Sequence, residues 1–133
     1  MTGTGFFKMF SRLFGGFGAQ AQPADERVRV VDPATIRGWL DAGEVVLIDV
    51  REANEFASEN IPGAINLPLS SFNPALVPKP EVGKRLVIHC RSGVRCGSAA
   101  GLLLAAGWEG EINRMQGGIM GWASMGGRLR RGS

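Results

Sequence analysis

Two short, continuously apolar runs, each followed at once by a polar residue, constrain the fold of this chain most strongly. Val45-Val46-Leu47-Ile48 ends at Asp49, and Leu86-Val87-Ile88 ends at His89. A strand that is apolar at every position, rather than at alternate positions, is typical of a parallel sheet covered on both faces. Both runs therefore predict central strands of such a sheet.

Short strands and helical patterns alternate along the middle of the chain. We predict strands at 27–31, 45–49, 64–67, 86–89 and 111–114, and helices at 33–40, 52–58, 95–106 and 119–125. Asp32 followed by Pro33 is typical of a helix start, and Gly107 of a helix end. This alternation favours an α/β fold, in which a parallel five-stranded sheet carries helices on both faces as a three-layer sandwich.

The length and composition of the chain fit a single folded domain with two flexible ends. The chain has 133 residues, of which 44% are hydrophobic and 20% charged, so it can bury one globular core. We divide it into a flexible leader rich in Phe and Gly at 1–24, a folded domain at 25–126 and a flexible Arg/Gly tail at 127–133.

The leader allows three interpretations. Its apolar residues fall at helical spacing, with Lys8 and Arg12 on the opposite side: Phe6, Phe10, Leu13, Phe14 and Phe17. Residues 6–17 therefore either form an amphipathic helix that contacts an anionic membrane surface, or belong to a flexible leader whose phenylalanines pack on the domain or a partner. The third interpretation, an export signal, is disfavoured because glycines interrupt its short apolar run. We expect a cytoplasmic protein.

Charge and cysteine content exclude several classes of function. Five of the 15 basic residues lie at the two ends, so the middle holds ten basic residues against all 12 acidic ones. A basic excess confined to the ends does not make a nucleic-acid-binding face. Two cysteines and one histidine provide neither a disulfide framework nor a convincing zinc site, and we expect no cofactor or metal.

The segment that follows the second central strand has the features of a reactive site. Residues 90–95, Cys-Arg-Ser-Gly-Val-Arg, run from a buried strand directly into a predicted helix. Ligands of parallel sheets bind beyond the carboxyl ends of the strands, and a loop of this kind turns backbone N–H groups inward at the positive end of the helix dipole. A thiolate there is stabilised, which lowers the pKa of a cysteine from about 8.5. We expect Cys90 to be the nucleophile.

The other loop residues, Arg91, Ser92, Gly93, Val94 and Arg95, are predicted to form the anion-binding ring around this thiolate. Gly93 permits the tight curvature that a Cβ atom would obstruct. Arg91 and Arg95 add positive charge, and Arg95 can reach back over the ring from the helix start. The loop therefore suits a sulfur nucleophile that attacks or carries an anionic group.

Four segments in this order resemble the motifs of the rhodanese (thiosulfate sulfurtransferase) family, single-domain type. They are Asp49-Val50-Arg51-Glu52 with Glu55-Phe56, the stretch 61–68 (IPGAINLP), the loop 90–95, and Gly117-Gly118-Ile119 followed by Trp122. The resemblance covers roughly residues 27–126. Each motif alone is weak, whereas all four around a loop that begins with cysteine are specific.

The resemblance implies a sulfurtransferase. In such an enzyme Cys90 accepts a sulfane sulfur from thiosulfate or another donor as a persulfide, and passes it to cyanide or to a thiol, including a protein thiol. The resemblance also implies that Asp49 and Arg51 organise the loop from the neighbouring strand end. Four residues separate Cys90 from Arg95, whereas related phosphatases have five, which disfavours a phosphatase or arsenate reductase. A persulfide carrier without turnover is the remaining alternative.

Two positions depart from the family pattern. Asn60 stands where the family often has histidine, which removes a cation, and Cys96 stands where a small hydroxyl residue is common. A thiol is a weaker hydrogen-bond donor than a hydroxyl. We interpret Cys96 as a packed thiol in the first turn of the helix; the alternative is a resolving thiol that attacks the Cys90 persulfide.

Overall fold

The computed structural model describes residues 25–132, in which seven strands and four helices follow one another along the chain. The strands are β1 (Val28–Val31), β2 (Val45–Asp49), β3 (Glu59–Asn60), β4 (Ile65–Asn66), β5 (Arg85–His89), β6 (Ile112–Met115) and β7 (Arg130–Arg131). The helices are α1 (Pro33–Asp41), α2 (Ala53–Ser58), α3 (Arg95–Ala105) and α4 (Gly118–Ser124), with short 3-10 turns at Leu69–Ser71 and Pro74–Leu76.

Five of the strands form one parallel sheet in the order β1-β6-β5-β2-β4. The two apolar runs, β2 and β5, lie side by side, with Asp49 opposite His89 at their carboxyl ends. The predicted α/β fold with a parallel five-stranded sheet is therefore confirmed. Because the strands are parallel, these carboxyl ends meet at the edge of the sheet where Cys90 begins its loop.

The sheet is covered by helices on both faces, as predicted. On one face, α3 contributes Cys96, Ala99 and Leu103 to a core that contains Ile48 and Ile88. On the other face, Leu47 and Val87 pack with side chains from α1 and α4, namely Ile36, Ile119 and Trp122. Successive strand residues point to opposite faces, which is why β2 and β5 are apolar at nearly every position.

The predicted boundaries of these helices and strands differ from the observed ones by at most one residue, which is within the usual uncertainty at element ends. Helix α1 begins as expected, because the side chain of Asp32 accepts a hydrogen bond from the Thr35 amide at 3.0 Å and Pro33 follows. Helix α2 begins at Ala53, since Glu52 is its N-cap residue.

The prediction of a free C-terminal tail is wrong for residues 128–132. Strand β7 pairs antiparallel with β3, and the Gly132 amide donates to the Ser58 carbonyl at 2.9 Å. The indole N–H of Trp122 donates to the Arg128 carbonyl at 2.8 Å. Main-chain pairing of this kind needs no apolar pattern, so the Gly/Arg composition gave no sign of it.

The predictions for the leader, including the amphipathic helix at 6–17, lie outside the described residues. Within residues 25–132, every helix is too short or too polar to span a bilayer.

Candidate active site

Cys90 lies at the carboxyl end of β5 and opens the loop that leads into α3. The strand before it is buried, and the Val50 amide donates to the His89 carbonyl at 3.0 Å, so β2 and β5 stay paired up to the loop. The predicted placement, a cysteine between a central strand and a helix N-terminus, is therefore what the structure contains.

The loop directs hydrogen-bond donors at the sulfur of Cys90. The Gly93 amide lies 3.1 Å from Cys90 Sγ. A hydrogen bond from the Cys96 side chain has the largest effect on the pKa of Cys90. The amides of Cys96, Gly93 and Arg95 add to that effect, and together they outweigh burial and lower the pKa to about 5. Cys90 is therefore held as a thiolate at neutral pH.

Cys96 lies in the first turn of α3, fully buried, with its Sγ 3.0 Å from the Gly93 carbonyl oxygen. Its hydrogen bond to Cys90 and its burial raise the pKa of Cys96 far above the ordinary value. Cys96 therefore keeps its proton and acts as a donor, which fits a packed thiol and disfavours a resolving nucleophile.

The turn before α4 holds the start of the loop from the other side. The Ile119 amide donates to the Cys90 carbonyl at 2.8 Å, and the Met120 amide to the Arg91 carbonyl at 3.1 Å. Gly118, with φ of +58°, lies so close that a Cβ atom there would be 2.6 Å from the Arg91 carbonyl carbon and oxygen. The Gly117-Gly118-Ile119 motif thus fixes the Cys90 backbone, and Gly118 cannot carry a side chain without displacing it.

The remaining loop residues form the outer surface of the site. Arg91, Ser92 and Val94 are exposed, and Gly93 adopts a φ of +108° that favours glycine. A cleft of about 430 Å³ lies against residues 92–94, and another of about 290 Å³ lies beside Arg91. Cys90 itself is 0% exposed. A sulfur donor therefore reaches Sγ only when the residues around it move.

The side chain of Arg95 is held by Glu55 on α2. Its two terminal nitrogens lie 2.7 Å and 3.0 Å from the two carboxylate oxygens. The hydrogen bond from Arg95 is the main reason that the pKa of Glu55 is lowered to about 2. Arg95 thus stays charged at the loop's end, with its position set by α2.

Asp49 and Arg51 form a buried ion pair behind the loop. Arg51 is 4% exposed and Asp49 0%, and Nη2 of Arg51 lies 2.7 Å from Oδ2 of Asp49. The same nitrogen donates to the Glu59 carbonyl at 2.7 Å. Within residues 25–132 neither side chain hydrogen-bonds to the loop itself. Arg51 contacts the Glu55 carbonyl, with Nη1 3.4 Å from the oxygen, and the Glu55 side chain in turn holds Arg95 of the loop. Although Arg51 and Glu55 are four residues apart on the chain, they form no ion pair with each other within residues 25–132: Arg51 pairs with Asp49, and Glu55 with Arg95.

His89 and Asn60 both lie buried close to this pair. Nε2 of His89 is 3.6 Å from Asp49 Oδ2, and burial lowers the pKa of His89, so the ring is neutral. His89 is therefore a neutral, fully buried residue that packs at the end of β5. Asn60 donates to the Phe56 carbonyl at 2.9 Å, so it closes α2 where the family often has a cation.

Sequence reasoning missed Arg114 on β6. Its Nη2 donates to the Gly93 carbonyl at 2.9 Å, and its Nε lies 3.5 Å from Cys96 Sγ. Knowledge of the strand register would have revealed it: Arg114 pairs with Ile88, two residues before Cys90, so its side chain belongs at the same edge of the sheet. The sequence gives β6 no marker of its position between β1 and β5, so that register was not predictable.

The fold and the loop together define an α/β protein that holds a thiolate at the end of a central parallel strand. A family model described as the rhodanese-like domain matches residues 32–125. The chain belongs to the rhodanese family, which confirms the resemblance carried by the four motifs.

Curated relatives are larger than this chain. An uncharacterised protein of Synechocystis is 41% identical over 96 residues, which are 72% of this chain and 52% of the relative. A tRNA uridine(34) hydroxylase of Xanthomonas euvesicatoria is 34% identical over 114 residues, covering 77% of this chain and 45% of the relative. The chain thus spans about half the length of these relatives.

Solved structures with the same fold include two sulfurtransferases. The thiosulfate sulfurtransferase of Pseudomonas aeruginosa superposes with a TM-score of 0.69 at 26% identity, over 80% of this chain and 21% of that one. The human single-domain sulfurtransferase superposes with a TM-score of 0.60 at 30% identity, over 71% of this chain and 95% of that one.

Proposed function

We propose that this protein is a sulfurtransferase that moves a sulfane sulfur from thiosulfate, or from a persulfide donor, to a thiol or to cyanide. The Cys90 thiolate attacks the outer sulfur of the donor and the donor's S–S bond breaks; sulfite leaves with the electron pair when the donor is thiosulfate, and a thiolate leaves with it when the donor is a persulfide. An acceptor thiolate or cyanide then attacks the outer sulfur of the Cys90 persulfide. That step returns Cys90 to the thiolate form.

The observation that carries this proposal is the set of donors around Cys90 Sγ. The Gly93 amide at 3.1 Å and the Cys96 side chain favour an anionic sulfur at this point. The same donors stabilise a persulfide anion, whose charge lies one atom further out. Arg91, exposed beside the loop, provides positive charge for an anionic donor such as thiosulfate. The likeness to two named sulfurtransferases supports the same chemistry.

Thiocyanate formation from thiosulfate and cyanide tests the proposal. Wild-type protein is expected to turn over, and Cys90→Ser to lose activity while keeping its fold, as judged by circular dichroism. Cys96→Ser is the matched control, because a hydroxyl replaces the thiol next to Cys90 without removing the nucleophile. Equal activity in wild type and Cys90→Ser would contradict the proposal.

A second candidate function, a persulfide carrier served by partner proteins, is favoured by the complete burial of Cys90. In this case a docking partner makes Cys90 accessible, and free thiosulfate reacts poorly. The carrier predicts a stable persulfide on Cys90 after incubation with a persulfide donor, with negligible thiocyanate formation. The enzyme hypothesis predicts both a persulfide on Cys90 and the formation of thiocyanate.

A further inference from the structure

Arg114 approaches the site from β6 and contacts two groups that determine the state of Cys90. Its Nη2 donates to the Gly93 carbonyl at 2.9 Å, and its Nε donates to Cys96 Sγ at 3.5 Å. Gly97 leaves the space for this guanidinium, because a Cβ atom there would lie 2.9 Å from Nη2. Within residues 25–132, Arg114 forms no salt bridge that would neutralise its charge.

The contacts of Arg114 bear on where the single proton of the Cys96 thiol is directed. In the structure that proton is directed at the Gly93 carbonyl oxygen, 3.0 Å from Cys96 Sγ. The competing acceptor is the sulfur of Cys90, which lies 3.1 Å from the Gly93 amide and whose pKa is lowered by the Cys96 side chain. Because the Gly93 carbonyl already accepts a hydrogen bond from Arg114, it is a weaker acceptor for the proton of the Cys96 thiol. Donation from Nε into Cys96 Sγ also polarises the S–H bond, which makes it a stronger donor to a thiolate.

We propose that Arg114 is a positioning residue that acts on Cys90 through Cys96, in a hydrogen-bond relay that runs from the guanidinium to the Cys96 thiol to the Cys90 sulfur. The relay deepens the proposed function and rests on it for its catalytic meaning. It gives the weak donor Cys96 the strength to hold the anionic sulfur, in a position where the family commonly has a hydroxyl.

The other charged and titratable groups near Cys90 are paired, neutral or exposed to solvent. On the β2 side, Asp49 is paired with Arg51 and lies beside the neutral His89. On the α2 side, Glu55 is paired with Arg95. Arg91 projects to solvent from the loop itself. Arg114 is the group that adds charge from the β6 side.

The pH dependence of Cys90 alkylation by iodoacetamide tests the relay, with peptide mass spectrometry to assign the label to Cys90. Arg114→Met keeps the side-chain length but removes the charge and the donors, and we expect it to raise the midpoint of the profile by about one pH unit. In the Cys96→Ala background, the same Arg114 substitution should leave the midpoint unchanged, because the relay is already broken. In the Cys96→Ser background the upward shift should persist, since a hydroxyl can accept and donate in the same way.

Two results would overturn the inference. One is a folded Arg114→Met protein whose Cys90 alkylation has the same pH midpoint as wild type. The other is an equal shift in the Cys96→Ala background, which would show that Arg114 acts directly and not through Cys96. If Arg114→Met does not fold, Arg114→Lys replaces it: a lysine keeps the charge but lacks the planar arrangement in which Nε and Nη2 reach the two partners, so we expect a smaller upward shift, and none would contradict the relay. Alkylation needs no sulfur donor, so failure of the relay and failure of sulfur transfer are separate outcomes.

Discussion

The carboxylate of Glu55 and the guanidinium of Arg95 meet in a two-point ion pair, with Nη1–Oε1 at 2.7 Å and Nη2–Oε2 at 3.0 Å. The same carboxylate accepts from the Glu52 amide at 2.9 Å, at the start of α2. One side chain therefore ties the start of α2 to the first residue of α3. The downstream end of the Cys90 loop is fixed by this connection.

Glu55→Gln is expected to lower the free energy of unfolding by about 1 kcal/mol at neutral pH, because the pair is partly exposed. The pKa of Glu55 is lowered to about 2 in the folded protein, below its ordinary value of about 4.3. Its contribution is therefore complete above that ordinary value and is lost as pH falls toward 2. Urea unfolding between pH 2 and 7 measures this. A difference in unfolding free energy between wild type and Glu55→Gln that stays constant down to pH 2 would exclude this explanation.

Asp49→Asn is expected to destabilise the fold by about 3–5 kcal/mol, because it leaves the charge of buried Arg51 without its partner. Thermal and urea unfolding give the value. The control is Asp25→Asn, which removes the carboxylate from an exposed pair with Arg27 and should leave the unfolding free energy close to that of wild type. Equal effects of the two substitutions would show that burial of the Asp49–Arg51 pair does not matter.

Gly118→Ala is expected to displace the start of the loop, because the new methyl group overlaps the Arg91 carbonyl and the φ of +58° is strained for alanine. We expect a loss of about 1–3 kcal/mol in unfolding free energy and a higher pH midpoint for Cys90 alkylation. Gly101→Ala in α3 is the matched control, since a Cβ atom there meets nothing within 4 Å. That control should be neutral or slightly stabilising. A Gly118→Ala protein with wild-type stability and alkylation would contradict the close contact.

Alkylation of wild-type Cys90 should have its midpoint near pH 5, the pKa to which its hydrogen-bond donors lower it. An ordinary cysteine has its midpoint near pH 8.5. Cys96 should remain unlabelled over the same range because its pKa is raised, so that it keeps its proton, whereas the equally buried Cys90 is a thiolate. Iodoacetamide labelling followed by peptide mass spectrometry reports both thiols. A midpoint for Cys90 near that of free cysteine would show that the Cys96 side chain and the loop amides do not stabilise the thiolate.

The parts of this structure that were predictable from sequence are those encoded locally. The apolar runs of β2 and β5 are recognisable because strands buried on both faces need apolar residues throughout. Asp32 and Pro33 indicate the start of α1 through chemistry within four residues. The loop 90–95 is recognisable because a cysteine, a glycine and two arginines stand together between a strand and a helix.

The parts that were not predictable depend on contacts between distant segments. The partner of Glu55 is 40 residues away, and choosing Arg95 over the nearby Arg51 requires the placement of α2 against the loop. Arg114 reaches Cys96 only because β6 is inserted between β1 and β5. Strand β7 is held by main-chain pairing and by a carbonyl that accepts from Trp122, and neither leaves a side-chain pattern in the sequence.

Intact mass spectrometry after incubation with thiosulfate, followed by removal of the small molecules, measures most directly whether Cys90 takes up a sulfur atom. Wild-type protein is expected to gain about 32 Da, the mass of one sulfur bound as a persulfide, and to lose it on addition of cyanide or a thiol. Cys96→Ser should gain the same mass, and Cys90→Ser should gain none. A wild-type protein that stays at its original mass with thiosulfate and with a persulfide donor, or a Cys90→Ser protein that gains the sulfur, would contradict the assignment of Cys90 as the sulfur-carrying nucleophile.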